Sequence, residues 1–372
     1  MKKLSAVLCV IALLTLTACM PENTEIKYRL VIEGIGVDYN EEKNVYEVSV
    51  QVLETENEEK SQSKTYTVKG ETIAKAITTL TESTGKYPLY SQNRLIILGS
   101  SVRGDRMIKA LNFFVREYTS RPDVYVVTST GKASEVLNVK ATGESTAKLI
   151  ESEVEQSHNT SVCIDTKLFE AVNLSLEENS TFFIPLTEIT NEYTSEKTVK
   201  VTGSSVFSKD GKGIFLSDTE TFYTLLALDK AKKGTFTSKA EDTRAALEIM
   251  NTDTKIKVSE KDGKPVFDIK IRMTVDITEY ESSEFTDLDA DAVKKIEKQA
   301  SSHIKSGVEK TVRRIVKEEK CDILRLGRRF YRKFPDEYDK IKDNWQNLLP
   351  EMQINISADV KVGRIGQMTI TR

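Results

Sequence analysis

Phe267, Ile269, Ile271, Met273, Val275 and Ile277 alternate without a break with Asp268, Lys270, Arg272, Thr274, Asp276 and Thr278. Successive side chains of a strand point to opposite faces, so this run has one dry face and one wet face and fits a sheet packed on one side only. The pattern returns in Met352, Ile354, Ile356, Ala358, Val360 and Val362. Between the two, Val293, Ile296, Ala300, Ile304, Val308, Val312 and Ile315 recur every three or four residues, the stripe of an amphipathic helix. About 30 residues at 1.5 Å each make that helix roughly 45 Å long, enough to lie across a whole sheet. The expected C-terminal unit is therefore a sheet of alternating strands covered by one long helix.

The remainder reads as two further mixed α/β segments, so the expected fold class is α+β with three successive domains over 19–140, 141–235 and 236–372. In the first, Arg29 to Val37 and Val45 to Leu53 read as strands, with Tyr46, Val48, Val50 and Val52 on one face. Glu54 to Ser63 is dense in charge and reads as a long hairpin loop. Glu71 to Thr84, stopped by Gly85, and Asp105 to Tyr118 read as helices, while Leu95 to Leu98 and Val124 to Val127 fit buried strands. The second segment opens with helical sequence at Glu144 to Glu155 and Lys167 to Leu174. It turns to β at Thr198 to Phe207 and, after an Asp210-Gly211 turn, at Ile214 to Leu216. Asp218 or Thr219 is the expected cap of a helix over Glu220 to Leu228. The polar stretch Lys230 to Ser238 leads into the third segment.

Lys2 and Lys3 precede the apolar run Leu4 to Leu16, and Leu16-Thr17-Ala18-Cys19 ends it. This charge-then-apolar order is that of a secretory leader over residues 1–18. About 13 apolar residues fall short of the roughly 20 that span a bilayer core. The tetrapeptide resembles a bacterial lipobox, in which the small Ala18 fits the peptidase and the Cys19 thiol takes a diacylglycerol. Each buried methylene contributes about 0.8 kcal/mol, so two acyl chains hold where one holds only reversibly. The mature chain is expected to be lipid-anchored at Cys19.

The chain carries 54 basic and 57 acidic side chains, and the leader removes two lysines, which leaves a mild acidic excess and argues against a nucleic-acid partner. Only His158 and His303 are available as imidazole bases, and neither has a catalytic setting in the sequence. Nucleophile-elbow, phosphate-loop and zinc-protease motifs are absent, so no enzyme activity, cofactor or metal is expected. Cys163 and Cys321 lack ligand spacing and read as small buried hydrophobes. Asp287, Asp289 and Asp291 open like a calcium loop, but Ala292 stands where glycine is needed and Lys298 where the bidentate glutamate belongs. Their expected role is to complement the positive end of the long helix.

Residues 305–333 hold eleven Lys or Arg against four acids. Arg325, Arg328, Arg329, Arg332 and Lys333 are the densest part and the candidate contact for an anionic leaflet or an acidic surface on a membrane partner.

The run Asp322-Ile323-Leu324-Arg325-Leu326-Gly327-Arg328-Arg329-Phe330-Tyr331-Arg332-Lys333-Phe334-Pro335 is followed by Trp345, Leu349, an alternating strand and Gly363-Arg364-Ile365-Gly366. This order resembles the C-terminal signature of the Ger(x)C family of spore germination lipoproteins. Gly34-Ile35-Gly36-Val37-Asp38 looks like that family's first strand, and Gly203 to Asp210 like its middle hairpin. Met20 and Pro21 depart from the family, which often has a Trp there. The resemblance implies the C subunit of a nutrient germinant receptor, on the outer face of the spore inner membrane, working with two polytopic subunits, one of them permease-like. It carries over no catalytic residue and leaves direct small-molecule binding doubtful. The rival expectation is a solute-binding lipoprotein that delivers a small nutrient to a membrane transporter.

Overall fold

The computed structural model describes residues 28–366 apart from 58–59, 118, 142–143, 177–180, 193–194, 208–212, 241–242 and 283–287. The leader, Cys19, Asp287 and the Asp210-Gly211 turn lie outside the described residues. Strands β1 (Arg29–Asn40), β2 (Val45–Asn57), β3 (Lys60–Gly70), β4 (Tyr87–Leu89), β5 (Leu95–Leu98), β6 (Tyr125–Ser129), β7 (Phe182–Thr190), β8 (Thr198–Phe207) and β9 (Gly213–Leu216) belong to one sheet. Its order is β3-β2-β1-β5-β6-β7-β8-β9, with β4 beside the start of β1. The strands β1, β4, β5, β6 and β7 are parallel, and the rest pair antiparallel.

Around this sheet lie α1 (Ile73–Thr84), α2 (Asp105–Arg116), α3 (Ala133–Leu137), α4 (Thr146–Thr160) and α5 (Leu168–Leu176). Leu80 of α1, Phe114 of α2 and Leu168 of α5 share one core with Ile35 and Ile96. On the other face, Leu137 of α3 and Ile150 of α4 pack with Leu95 and Val127. The Gly-x-Gly-x-Asp of the first strand is a packing device: a Cβ at Gly34 would stand 2.6 Å from Ala147 Cβ, so only glycine lets α4 approach β1 this closely. Asp38, at the end of the same motif, is buried and accepts from Ala133 N (2.9 Å) and Ser134 N (3.0 Å), which caps α3.

A single sheet joins the first two segments of the chain. The boundary at 140/141 falls within its span, because β6 and β7 pair across it through Thr128↔Leu186. The long hairpin loop expected at Glu54 to Ser63 is instead mostly strand, since β2 runs to Asn57 and β3 resumes at Lys60. Helix α6 (Asp218–Ala227) follows β9 and starts earlier than expected. Its cap is Ser217, whose hydroxyl accepts from Glu220 N while the Glu220 carboxylate accepts from Ser217 N, a reciprocal capping box.

The second sheet begins at β10 (Thr235–Ala240) and continues through β11 (Thr243–Lys261), β12 (Lys264–Ser282) and β13 (Gln353–Ile365), in that order. Helix α7 (Ala290–Val312) crosses its dry face and passes into a π-helical turn, Arg313–Glu318. Ile296, Ala300, Ile304, Val308, Val312 and Ile315 share a core with Phe267, Ile269, Ile271 and Met273, as the two periodicities require. Asp289 caps α7 by accepting from Asp291 N (3.1 Å) and Ala292 N (2.7 Å). Along the open edge of β13, Val360 N donates to Ser301 Oγ (2.9 Å) and Val362 N to Glu297 Oε1 (3.0 Å). Side chains of α7 thus occupy donors that could otherwise recruit a foreign strand. The architecture is α+β.

Candidate partner-contact site

After the π-helical turn the chain builds α8 (Leu326–Lys333), α9 (Pro335–Ile341) and α10 (Trp345–Leu348). Asp322 organises this cluster. Its Oδ1 accepts from Leu326 N (2.7 Å), and its Oδ2 accepts from Gly327 N (2.8 Å) and from Trp345 Nε1 (3.0 Å). Burial raises the Asp322 pKa above its usual 3.8, while the three N–H donors pull it back down. Gly327 is required by the indole, since a Cβ there would stand 3.0 Å from Trp345 Cε2. Trp345 is fully enclosed, with Phe330 stacked on it at 6.2 Å and Tyr338 at 5.4 Å. The motif residues Asp322, Gly327 and Trp345 therefore hold α8 and α10 against the second sheet.

Those contacts decide which way the five cations face. Arg328 and Arg332, one turn apart, are exposed on the outer side of α8, and Arg325 is half-exposed at its start in a left-handed conformation (φ 53°). Arg329 is half-buried and donates through Nε to Leu324 O at 3.1 Å. Burial lowers its guanidinium pKa below the ordinary value, an effect partly offset by Asp322. Lys333 donates to Val258 O of β11 at 2.6 Å. The cluster that is contiguous in sequence is thus divided: Arg328 and Arg332 are exposed and Arg325 half-exposed on the outer side, Lys333 is exposed but tied to the Val258 carbonyl, and Arg329 is turned inward.

Neither histidine sits in a hydrolytic arrangement. Tyr223 OH and His303 Nε2 are 3.0 Å apart between α6 and α7, and the His303 ring stacks on Phe236. His158 lies 3.6 Å from Asp165 at the surface. Cys163 and Cys321 are buried thiols in different cores, and burial pushes the Cys163 thiol up to about 12. Among the described residues no group of three or more His, Cys, Asp or Glu is placed to hold a metal, and no helix is long and apolar enough to cross a membrane. Sequence reasoning missed the roles of Asp38 and Asp322. The available signal was an acidic residue just ahead of a helix or at the close of a glycine-spaced strand.

The family described as "Spore germination B3/ GerAC like, C-terminal" matches residues 202–366, and the one described as "Spore germination protein N-terminal domain" matches residues 22–189. The chain belongs to the Ger(x)C family. Spore germination protein KC of Bacillus subtilis is 20% identical over 98% of this chain and 96% of its own length. Spore germination protein B3 of the same organism is 22% identical over 95% of this chain and 96% of its own length. The crystal structure of the GerBC protein superposes with a TM-score of 0.61 and 19% identity, covering 89% of this chain and 97% of that one. That likeness extends the Ger(x)C fold to both sheets described above.

Proposed function

We propose that this Ger(x)C chain is the lipid-anchored C subunit of a nutrient germinant receptor on the outer face of the spore inner membrane. In this reading it works with two polytopic subunits, one of them permease-like, and helps convert nutrient detection into the events that begin germination. The observation that carries the reading is the match to both germination families along almost the whole chain, combined with a leader that ends at Cys19. The lipid on Cys19 supplies the anchor, and the outer side of α8, with Arg325, Arg328 and Arg332, supplies the contact with an acidic surface of a polytopic subunit. A solute-binding lipoprotein would need two doubly wound lobes with a cleft between them. The described residues of this chain instead form one nine-stranded sheet and one four-stranded sheet. Affinity purification of the tagged chain from spore membranes tests the proposal. Recovery of a permease-like and a second polytopic protein is expected, and recovery of an ATP-driven transporter would favour nutrient delivery instead.

A further inference from the structure

Exposed apolar side chains are concentrated at one end of the first sheet. The described chain enters at Tyr28, where Arg29 of β1 pairs with Tyr87 of β4, and the parallel strands β5 and β6 begin further along, level with Gly34, so all of them run away from this end. Antiparallel β2 runs down to it, since Ile32 pairs with Val52. Helix α2 leaves the far end of β5 and runs back along the sheet, with Val115 in its last turn. Phe169, in the first turn of α5, donates its N–H to Pro122 O (3.1 Å), just ahead of β6. Tyr28, Leu53, Tyr87, Val115 and Phe169 are thus five of the ten exposed large apolar side chains among the described residues. Leu176, 71% exposed, lies on the same side of α5 as Phe169, two turns along. The opposite end exposes Lys43, Glu71, Arg103 and Asp105 and none of these five side chains, while the near end also carries the exposed Arg121–Asp123 ion pair beside Pro122.

Large apolar side chains gathered on an otherwise polar surface mark a place that something covers. Tyrosine suits a bilayer interface in particular, since its ring is apolar and its hydroxyl stays wet. Arg116 is exposed and Lys86 half-exposed at the same end, where lipid phosphates would meet them. The tether fixes the distance. Eight residues lie between Cys19 and Tyr28, and the nine steps from one to the other, at no more than about 3.6 Å each, reach roughly 32 Å when fully extended.

We propose that this end of the first sheet rests on the headgroup layer of the leaflet that holds the lipid of Cys19, with Tyr28, Tyr87, Val115 and Phe169 at the interface and the β1–β2 turn pointing away. This proposal rests on the lipid-anchored reading above. In it, the bilayer orients the subunit as well as retaining it.

The test uses the full lipidated chain on phosphatidylethanolamine and phosphatidylglycerol vesicles that carry a headgroup-attached quencher. An environment-sensitive fluorophore is placed by Tyr87→Cys, by Phe169→Cys or, at the far end, by Lys43→Cys. The described native thiols are buried and spared from labelling. At 12 residues β1 separates the two ends by roughly 40 Å. Quenching several-fold stronger at positions 87 and 169 than at 43 is expected, and either near-end position suffices if the other variant does not fold. If the chain floats with the vesicles but all positions quench alike, the resting face is wrong while the anchor stands. If the chain does not float, the anchor fails and the face falls with it. Cross-linking of position 87 to a polytopic subunit, with loss of lipid quenching in the assembled complex, would show that protein and not lipid covers this end.

Discussion

Asp322 serves three N–H groups with two carboxylate oxygens, a demand that an amide cannot meet. In Asp322→Asn at least one buried donor faces an NH2 group, which should cost about 1–3 kcal/mol. Trp345→Ala removes the indole that Asp322 orients and should cost about 3–5 kcal/mol. Denaturant unfolding of both variants checks these values, and a loss near zero for Trp345→Ala would mean that the cluster does not support the second sheet. His303 gives a pH-dependent counterpart. Burial lowers its pKa below the usual 6.5, so below that pH the unfolded chain binds a proton that the folded chain resists. Its contribution to stability is fully present above about pH 6.5 and is lost as the pH falls further. Wild type should therefore lose more thermal stability between pH 7 and pH 5 than His303→Gln, whose side chain does not titrate. Equal losses would contradict the burial of this ring as the cause.

At the scale of elements, α8 presents Arg328 and Arg332 outward and turns Arg329 and Lys333 to internal carbonyls. Arg328→Glu/Arg332→Glu should leave the melting temperature of the isolated chain close to wild type and weaken co-purification with the permease-like subunit. Normal melting together with undiminished co-purification would reduce α8 to a solvated face. How legible each element was depended on its surroundings. Strand β12 and helix α7 could be read because each is half-buried and repeats its pattern without interruption. Strand β11 was hidden by register shifts at Ala246/Leu247 and Ile249/Asn251, which break the alternation. Strand β3 is an edge strand with polar residues throughout its first half, and β7 carries Pro185 beside another shift, so neither shows a two-residue period. The candidate site was legible as a charge density. Its division into presented and bracing cations depends on Val258, 75 residues away in the chain, and could not be read locally.

At the scale of the molecule, two sheets meet through α6 and the end of α7, where Thr254 Oγ1 donates to Leu226 O (2.7 Å) and Cys321 Sγ to Thr181 Oγ1 (3.7 Å). The joining of the first two segments into one sheet rests on pairing between strands far apart in sequence, which no local pattern reveals. The large crevices are open and of mixed charge. One of about 1090 Å³ at the far end of the first sheet, for example, is lined by Lys43, Glu71, Arg103 and Asp105. Calorimetry of the chain without its leader against amino acids, sugars and nucleosides is accordingly expected to show no tight binding, and micromolar affinity for any of them would restore the solute-binding reading. The proposed function depends on a lipid at Cys19. Its most direct measurement is the membrane share of Cys19→Ala in spores, taken together with their nutrient-triggered germination rate. The variant should leave the inner-membrane fraction, and germination should slow. Full retention in that fraction with an unchanged rate would contradict the proposal.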